Sequence, residues 1–390
     1  MSERRHPAGP LACVVGARPN YMKMAPLVRA FGARHELPRV VLIHTGQHYD
    51  DAMNARLFED LALPRPDINL DAGSGTQAVQ TAEIMRRFEP VVAELAPSCV
   101  IVVGDVNSTL ACSLVAAKRQ IAVVHVEAGL RSFDRTMPEE INRRLTDQLA
   151  DLLFITERSA AGNLAREGIE PERIRFVGNV MIDSLLRHRG HAVPPAETLA
   201  RASADANFLA GGPDFGVVTL HRPSNVDDAQ AFKEAILLLR DVSRRLPLIW
   251  PMHPRAQGNL ERFGLTPLLA GARIVLLPPQ GYLEMLGLLA HATVVLTDSG
   301  GIQEETTALG VACLTMRDNT ERPVTVEQGT NTLVGRGRSQ ALDCVDQILR
   351  GGGKRGRVPE LWDGHAAERI ADDVSAWLGV SSARREVMHA

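Results

Sequence analysis

At 390 residues, with a formal net charge of −3 and only 4% aromatics, the chain is too long for one ordinary core and predicts two domains. That balance excludes a general attraction to nucleic acid or an anionic membrane, so any phosphate-binding cations must be placed locally. The five cysteines (Cys13, Cys99, Cys112, Cys313, Cys344) are scattered, without Cys-x-x-Cys spacing, which predicts buried thiols in a reducing cytoplasm; no apolar run suits a membrane span or a signal-peptide core.

Residues 11–16 read as a strand, followed by the turn Ala17-Arg18-Pro19-Asn20 and an amphipathic helix over 21–32. Arg18 at the strand end and Lys23 about one turn into the helix are two cations at a helix start, which suits a phosphate. A strand over 39–44 leads into Thr45-Gly46-Gln47-His48-Tyr49-Asp50, a helix to about Leu63, a Pro/Gly/Asp-rich loop and a long helix over 76–95. Buried strands follow at 99–103, 121–126, 152–155 and 174–177. Continuous apolar strands alternating with helices predict an α/β fold with a parallel sheet covered on both faces.

In such sheets ligands bind beyond the carboxyl ends of the strands. There stand Asp105, in Gly104-Asp105-Val106-Asn107-Ser108, and Glu127, in His125-Val126-Glu127-Ala128-Gly129-Leu130-Arg131. Asp105 could equally cap the helix from Asn107; Glu127, followed by Ala-Gly, suits capping less well. In Thr136-Met137-Pro138-Glu139-Glu140, Thr136 and Glu139 fit a capping box, so Glu139 has a purely structural alternative. The accumulation of Asp105, Glu127 and Glu139 or Glu140 near one sheet edge favours an acid/base set.

Residues 187–214 are rich in Pro, Ala, Gly and His and read as the interdomain connection. The alternation then restarts, with strands at 215–220, 248–252, 273–277, 292–296 and 312–316. His221 and His253 end the first two of these, each beside an arginine; a histidine held against a diphosphate is a phosphate ligand or an acid for the departing group. The fourth runs into Thr297-Asp298-Ser299-Gly300-Gly301-Ile302-Gln303-Glu304-Glu305. A strand, a tight turn and a helix start there make an anion site of Ser299, Gly300 and Gly301, with Glu305 spaced to accept from sugar hydroxyls. The competing reading is that Asp298 or Ser299 only caps the helix. Arg317 and Arg322 add two cations. After the basic junction Gly351-Gly352-Gly353-Lys354-Arg355, an amphipathic helix over 366–378 is expected to pack back on the first half, and the tail from Ser381 to lack structure.

Gly353-Lys354 has no following Ser or Thr and no preceding strand, and Gly73-Ser74-Gly75 lacks the rest of a dinucleotide fingerprint. Without a His/Cys cluster there is no case for zinc. The residues therefore describe two α/β halves facing a cleft, with phosphate-binding groups, acids on the first half, and neither cofactor nor metal. That suits a nucleotide-sugar enzyme.

The segments Gly16-Ala-Arg-Pro-Asn-Tyr-Met-Lys-Met-Ala-Pro26, Thr45-Gly-Gln-His48, Gly104-Asp105, His125 to Arg131, Pro138-Glu-Glu-Ile-Asn-Arg143, Asp298 to Glu305 and Thr320-Glu-Arg-Pro323 resemble the non-hydrolysing UDP-N-acetylglucosamine 2-epimerases, in order, from about Val14 to Gly335. The resemblance implies two Rossmann-like domains in a GT-B-type arrangement, residues 1–186 with the returning helix and tail 366–390, and residues 187–365. It implies interconversion of UDP-GlcNAc and UDP-ManNAc through elimination of UDP to 2-acetamidoglucal and re-addition, and a homodimer. It further implies that Asp105, Glu127 and Glu139 are the acid/base and charge-stabilising set, that His221 contacts the diphosphate, that Arg18 and Lys23 lie in the nucleotide cleft, and that Ser299, Gly300, Gly301 and Glu305 hold phosphate and ribose. Leu220-His-Arg-Pro-Ser-Asn225 departs from the family's Gly-His-Arg-Arg-Glu-Asn. A modified UDP-sugar such as a UDP-2,3-diacetamido-glucuronate as substrate, a glycosyltransferase of the same architecture and a non-catalytic nucleotide-sugar binder are the rival readings.

Overall fold

The computed structural model describes residues 9–46, 57–209, 212 and 214–379. The described residues form two compact units. One runs to Arg187 and resumes at Glu360; the other spans His188–Pro359.

In the first unit lie β1 (Leu11–Val15), β2 (Val40–His44), β3 (Ile68–Asn69), β4 (Cys99–Val103), β5 (Ala122–Val126), β6 (Leu152–Ile155) and β7 (Ile174–Phe176). All pair in parallel, in the order β3-β2-β1-β4-β5-β6-β7. Every residue of β1, β4 and β5 is buried, as central strands of a parallel sheet with helices on both faces must be. The second unit repeats the plan with β8 (Gly216–Thr219), β9 (Leu248–Pro251), β10 (Ile274–Leu277), β11 (Val294–Thr297), β12 (Ala312–Thr315) and β13 (Asn331–Leu333), in the order β10-β9-β8-β11-β12-β13, again parallel. In each sheet the order reverses at one place, between β1 and β4 and between β8 and β11. A crevice opens at such a switch point, and ligands bind there.

The expected strands are present. Two more, β3 and β13, have only two and three residues and polar members, too short to register as a periodic pattern. The first helix spans Arg18–Gly32, starting three residues before its apolar pattern does, because Pro19 fits the first turn, where a backbone N–H has no helical partner. The stretch expected as a plain connection carries a helix, Pro195–Arg201, whose Thr198 and Leu199 are buried and which packs on the helix Tyr282–His291. The connection is thus part of the second unit. The helix Ala366–Trp377 does return to the first unit, packing on Arg18–Gly32, with Ile370, Ala371 and Val374 buried. Asp183 accepts from the N–H groups of Ala366 and Ala367 at 3.2 and 2.7 Å, capping that helix. Gln47-His48-Tyr49-Asp50 and the tail from Ser381 lie outside the described residues. No helix among those described is long and apolar enough to cross a membrane.

Candidate active site

In the first unit the residue that follows β4 at the switch point is Gly104. Its φ is +67°, and a Cβ there would stand 3.1 Å from both Glu127 Oε2 and Lys23 Nζ, so a glycine lets the two charged groups close over the backbone. Glu127, directly after β5, has φ +69°. Non-glycine residues seldom adopt this left-handed conformation, and such strain gathers at functional sites. Glu127 and Lys23, each 4% exposed, form an ion pair. Lys23 thus balances a buried carboxylate whose charge would otherwise be costly. Arg18 opens the same helix and is half-buried.

Asp105 does not cap the helix Asn107–Lys118; Val106 holds that position, without a side-chain cap bond. The Asp105 carboxylate pairs instead with Arg143, and its carbonyl accepts from Asn142 Nδ2 at 2.9 Å. The neighbouring glutamates separate cleanly. Glu140, 1% exposed, accepts from Ser132 N at 2.9 Å, Ser132 Oγ at 3.0 Å, Phe133 N at 3.3 Å and Arg143 Nη1 at 2.6 Å. It ties the 131–133 loop to its helix. Glu139 is half-buried and four residues before Arg143, so both lie on one face of the helix Pro138–Leu149. The capping box does not form: Met137 is the N-cap, and the Thr136 hydroxyl donates to Asp134 Oδ1 at 2.6 Å.

In the second unit β8 and β11 are in register at Thr219 and Thr297, and their hydroxyls lie 2.6 Å apart. This brings Asp298 beneath the residues after β8. Asp298, 0% exposed, accepts from His221 N at 3.1 Å, Arg222 N at 3.0 Å, Asn225 Nδ2 at 3.1 Å and His221 Nδ1 at 3.0 Å. Burial alone would raise its carboxyl, but the His221 ring and the Arg222 and Asn225 donors more than offset that and hold it below the usual aspartate value. Asp298 is therefore the orienting partner of His221 and not a helix cap. Ser299 takes the N-cap position without a side-chain cap bond, and its N–H donates to Thr297 Oγ1 at 2.9 Å. The His253 ring lies 5.4 Å from that of His221, centroid to centroid, at the start of the helix Pro254–Arg262, where His253 Nδ1 accepts from Arg255 N at 3.2 Å.

Gly300 and Gly301 form the first turn of the helix Gly300–Leu309. A Cβ on Gly300 would stand 2.6 Å from Arg322 Nη1, so only glycine admits that guanidinium. Arg322 is buried and paired with Glu304 at 3.0 Å and Glu321 at 2.7 Å, while Arg317 reaches Glu321 at 2.7 Å. The two cations expected from the sequence are thus held in place by glutamates. Glu305 is pushed up to about 8, first by burial and then by the neighbouring Glu304 charge, with the Tyr282 hydroxyl offsetting part of this. Near neutrality it carries a proton and can donate as well as accept.

Neither the Asp298–His221 contact nor the Lys23–Glu127 pair is visible in sequence spacing, since each joins elements far apart in the chain. The available signal is indirect: these residues follow strands that become neighbours only once the strand order is known.

The family model for UDP-N-acetylglucosamine 2-epimerase matches residues 32–375. The chain is 41% identical over 364 residues to the UDP-N-acetylglucosamine 2-epimerase of Methanocaldococcus jannaschii, covering 92% of this chain and 97% of that one. It is 40% identical over 339 residues to the UDP-2,3-diacetamido-2,3-dideoxy-D-glucuronate 2-epimerase of Pseudomonas aeruginosa, covering 86% and 91%. The crystal structure of the M. jannaschii UDP-GlcNAc 2-epimerase in complex with UDP-GlcNAc and UDP superposes with a TM-score of 0.85 at 40% identity, covering 94% of this chain and 99% of that one.

Proposed function

The chain belongs to the UDP-N-acetylglucosamine 2-epimerase family, and from that membership we propose that it interconverts UDP-GlcNAc and UDP-ManNAc by eliminating and re-adding UDP. The observation that carries this reading is the placement of Asp105 and Glu127, each paired with a cation, at the ends of adjacent strands beside the switch point of the first unit. The C2 hydrogen of UDP-GlcNAc has no carbonyl beside it, so direct abstraction is slow. As the C1–O bond breaks, its electron pair leaves with UDP and positive charge grows at C1, which carboxylates stabilise while one of them takes the C2 proton. The product pair is 2-acetamidoglucal and UDP. Return of a proton to the other face of C2 and re-attack of UDP at C1 complete the epimerisation. The hydrogen moves as a proton, so no redox cofactor takes part.

Asp105, Glu127 and Glu139 form the acid/base set in this reading. His221, oriented by Asp298, meets the departing diphosphate together with His253, and Arg18 is a phosphate-binding cation of the first unit. Ser299, Gly300 and Gly301 hold phosphate, Arg322 supports that turn, and Glu305 binds the ribose hydroxyls. The first unit supplies the reacting acids, and the second grips UDP. Ile141 and Leu145, 45 and 48% exposed and one turn apart on the helix Pro138–Leu149, support a homodimer. The free cysteines suit a cytoplasmic enzyme, and its product suits cell-surface polysaccharide synthesis.

A second reading, epimerisation of UDP-2,3-diacetamido-glucuronate, is favoured by a near-equal identity, 40% against 41%. Parallel incubations with the two UDP-sugars decide. UDP-ManNAc formed from UDP-GlcNAc supports the proposal, and conversion of the diacetamido sugar alone supports the second reading. Free ManNAc with UDP, or no conversion of either sugar, contradicts both.

A further inference from the structure

His125 lies on β5, two residues before Glu127, with no exposed surface. Its Nδ1 is 2.7 Å from Asp147 Oδ1 and its Nε2 is 2.8 Å from the Gly104 carbonyl oxygen. A carbonyl oxygen cannot donate, so Nε2 carries a hydrogen. The other Asp147 oxygen accepts from Arg131 Nη2 at 2.7 Å and Gly129 N at 3.1 Å, so the carboxylate that meets Nδ1 is itself held in place. Arg131 is in turn held bidentately by Glu167 at 3.0 and 2.6 Å, and Arg144 reaches Glu167 at 3.3 Å.

We propose that His125 is a positioning residue, whose Nε2–H fixes the Gly104–Asp105 peptide against Glu127. The Gly104 N–H donates to Val126 O at 3.0 Å and its carbonyl is taken by His125, so the residue preceding Asp105 is pinned at both ends to β5, the strand that delivers Glu127. Asn142 holds the Asp105 carbonyl, Arg143 its carboxylate and Lys23 that of Glu127. His125 alone in this set ties the two strand ends together without touching either carboxylate. The proposal rests on the reading that Asp105 and Glu127 do acid/base work.

Two measurements test it. Ring-nitrogen NMR of the histidine-labelled whole protein, with His125→Gln for assignment, should show Nε2 of His125 bearing hydrogen; a bare Nε2 overturns the proposal whatever the catalytic reading. Kinetically, His125→Gln keeps a donor for the Gly104 carbonyl and His125→Leu keeps none. We expect kcat to fall roughly tenfold in the first and about a hundredfold in the second, the scale of a misplaced catalytic group, with KM within about twofold. Equal losses in both variants, or losses that appear in KM, contradict a positioning role. A wild-type enzyme that exchanges no C2 proton defeats the epimerase reading instead, while the NMR result still decides the state of His125.

Discussion

The His221 ring stands 3.0 Å from Asp298, a carboxylate with no exposed surface that also accepts from the His221 and Arg222 backbone N–H groups. A histidine held by a buried aspartate at Nδ1 presents Nε2 in one orientation and one tautomer. Asp298→Asn should therefore cut kcat by up to about 10⁴-fold, the loss seen when the orienting aspartate of a catalytic Asp–His pair is neutralised. UDP affinity, measured by calorimetry, should change far less than kcat. A variant with near-normal turnover would remove His221 from the leaving-group role.

Lys23 and Glu127 are buried partners, so removing one strands the other. Lys23→Met should lower the unfolding free energy by about 3–5 kcal/mol, while Lys23→Met with Glu127→Gln should recover most of that loss and stay inactive. Urea unfolding of the two variants is the check. A double variant no more stable than the single would mean that Lys23 stabilises by packing, not by charge.

Glu139 and Glu140 are adjacent in the chain and predict opposite outcomes. Glu140→Gln disturbs the bonds to Ser132, Phe133 and Arg143 and should cost roughly 2–4 kcal/mol of stability. Glu139→Gln should leave stability within about 0.5 kcal/mol and lower C2 exchange by about 10²-fold or more. Thermal melts set beside exchange rates separate the two, and reversed effects would exchange their roles.

This pair shows where the sequence stops being informative. Apolar runs alternating with helical stretches are enough to place the central strands, because a doubly covered parallel sheet needs continuous burial. They are not enough to rank Glu139 and Glu140, which share a helix start but differ in what the 131–133 loop brings to each. Asp298 could be read only as a cap or a ligand-loop residue until β8 and β11 proved to be neighbours. The edge strands β3 and β13 have too few apolar residues to announce themselves, and the helix Pro195–Arg201 was hidden in a stretch whose prolines suggested a linker.

Glu305 gives a pH dependence. An ordinary glutamate ionises near 4.5, and burial with the Glu304 charge raises Glu305 to about 8. Between those values the folded protein holds a proton that the unfolded chain has released. Stability from this group is therefore full below the unfolded value, declines as pH climbs, and levels off above the folded value. Relative to Glu305→Gln, the wild type should lose more than about 1 kcal/mol of unfolding free energy between roughly pH 5 and 8. Parallel pH–stability curves for the two proteins would contradict the buried, protonated Glu305.

In the proposed reaction, carboxylates of the first unit move the C2 proton while the second unit holds UDP. Deuterium incorporation at C2 of UDP-GlcNAc in D2O, followed by NMR for the wild type and for Asp105→Asn, Glu127→Gln and Glu139→Gln, tests it most directly. Incorporation with UDP-ManNAc appearing is expected in the wild type, and rates at least about 10²-fold lower in each variant with UDP affinity retained. Full exchange rates in all three variants would contradict it.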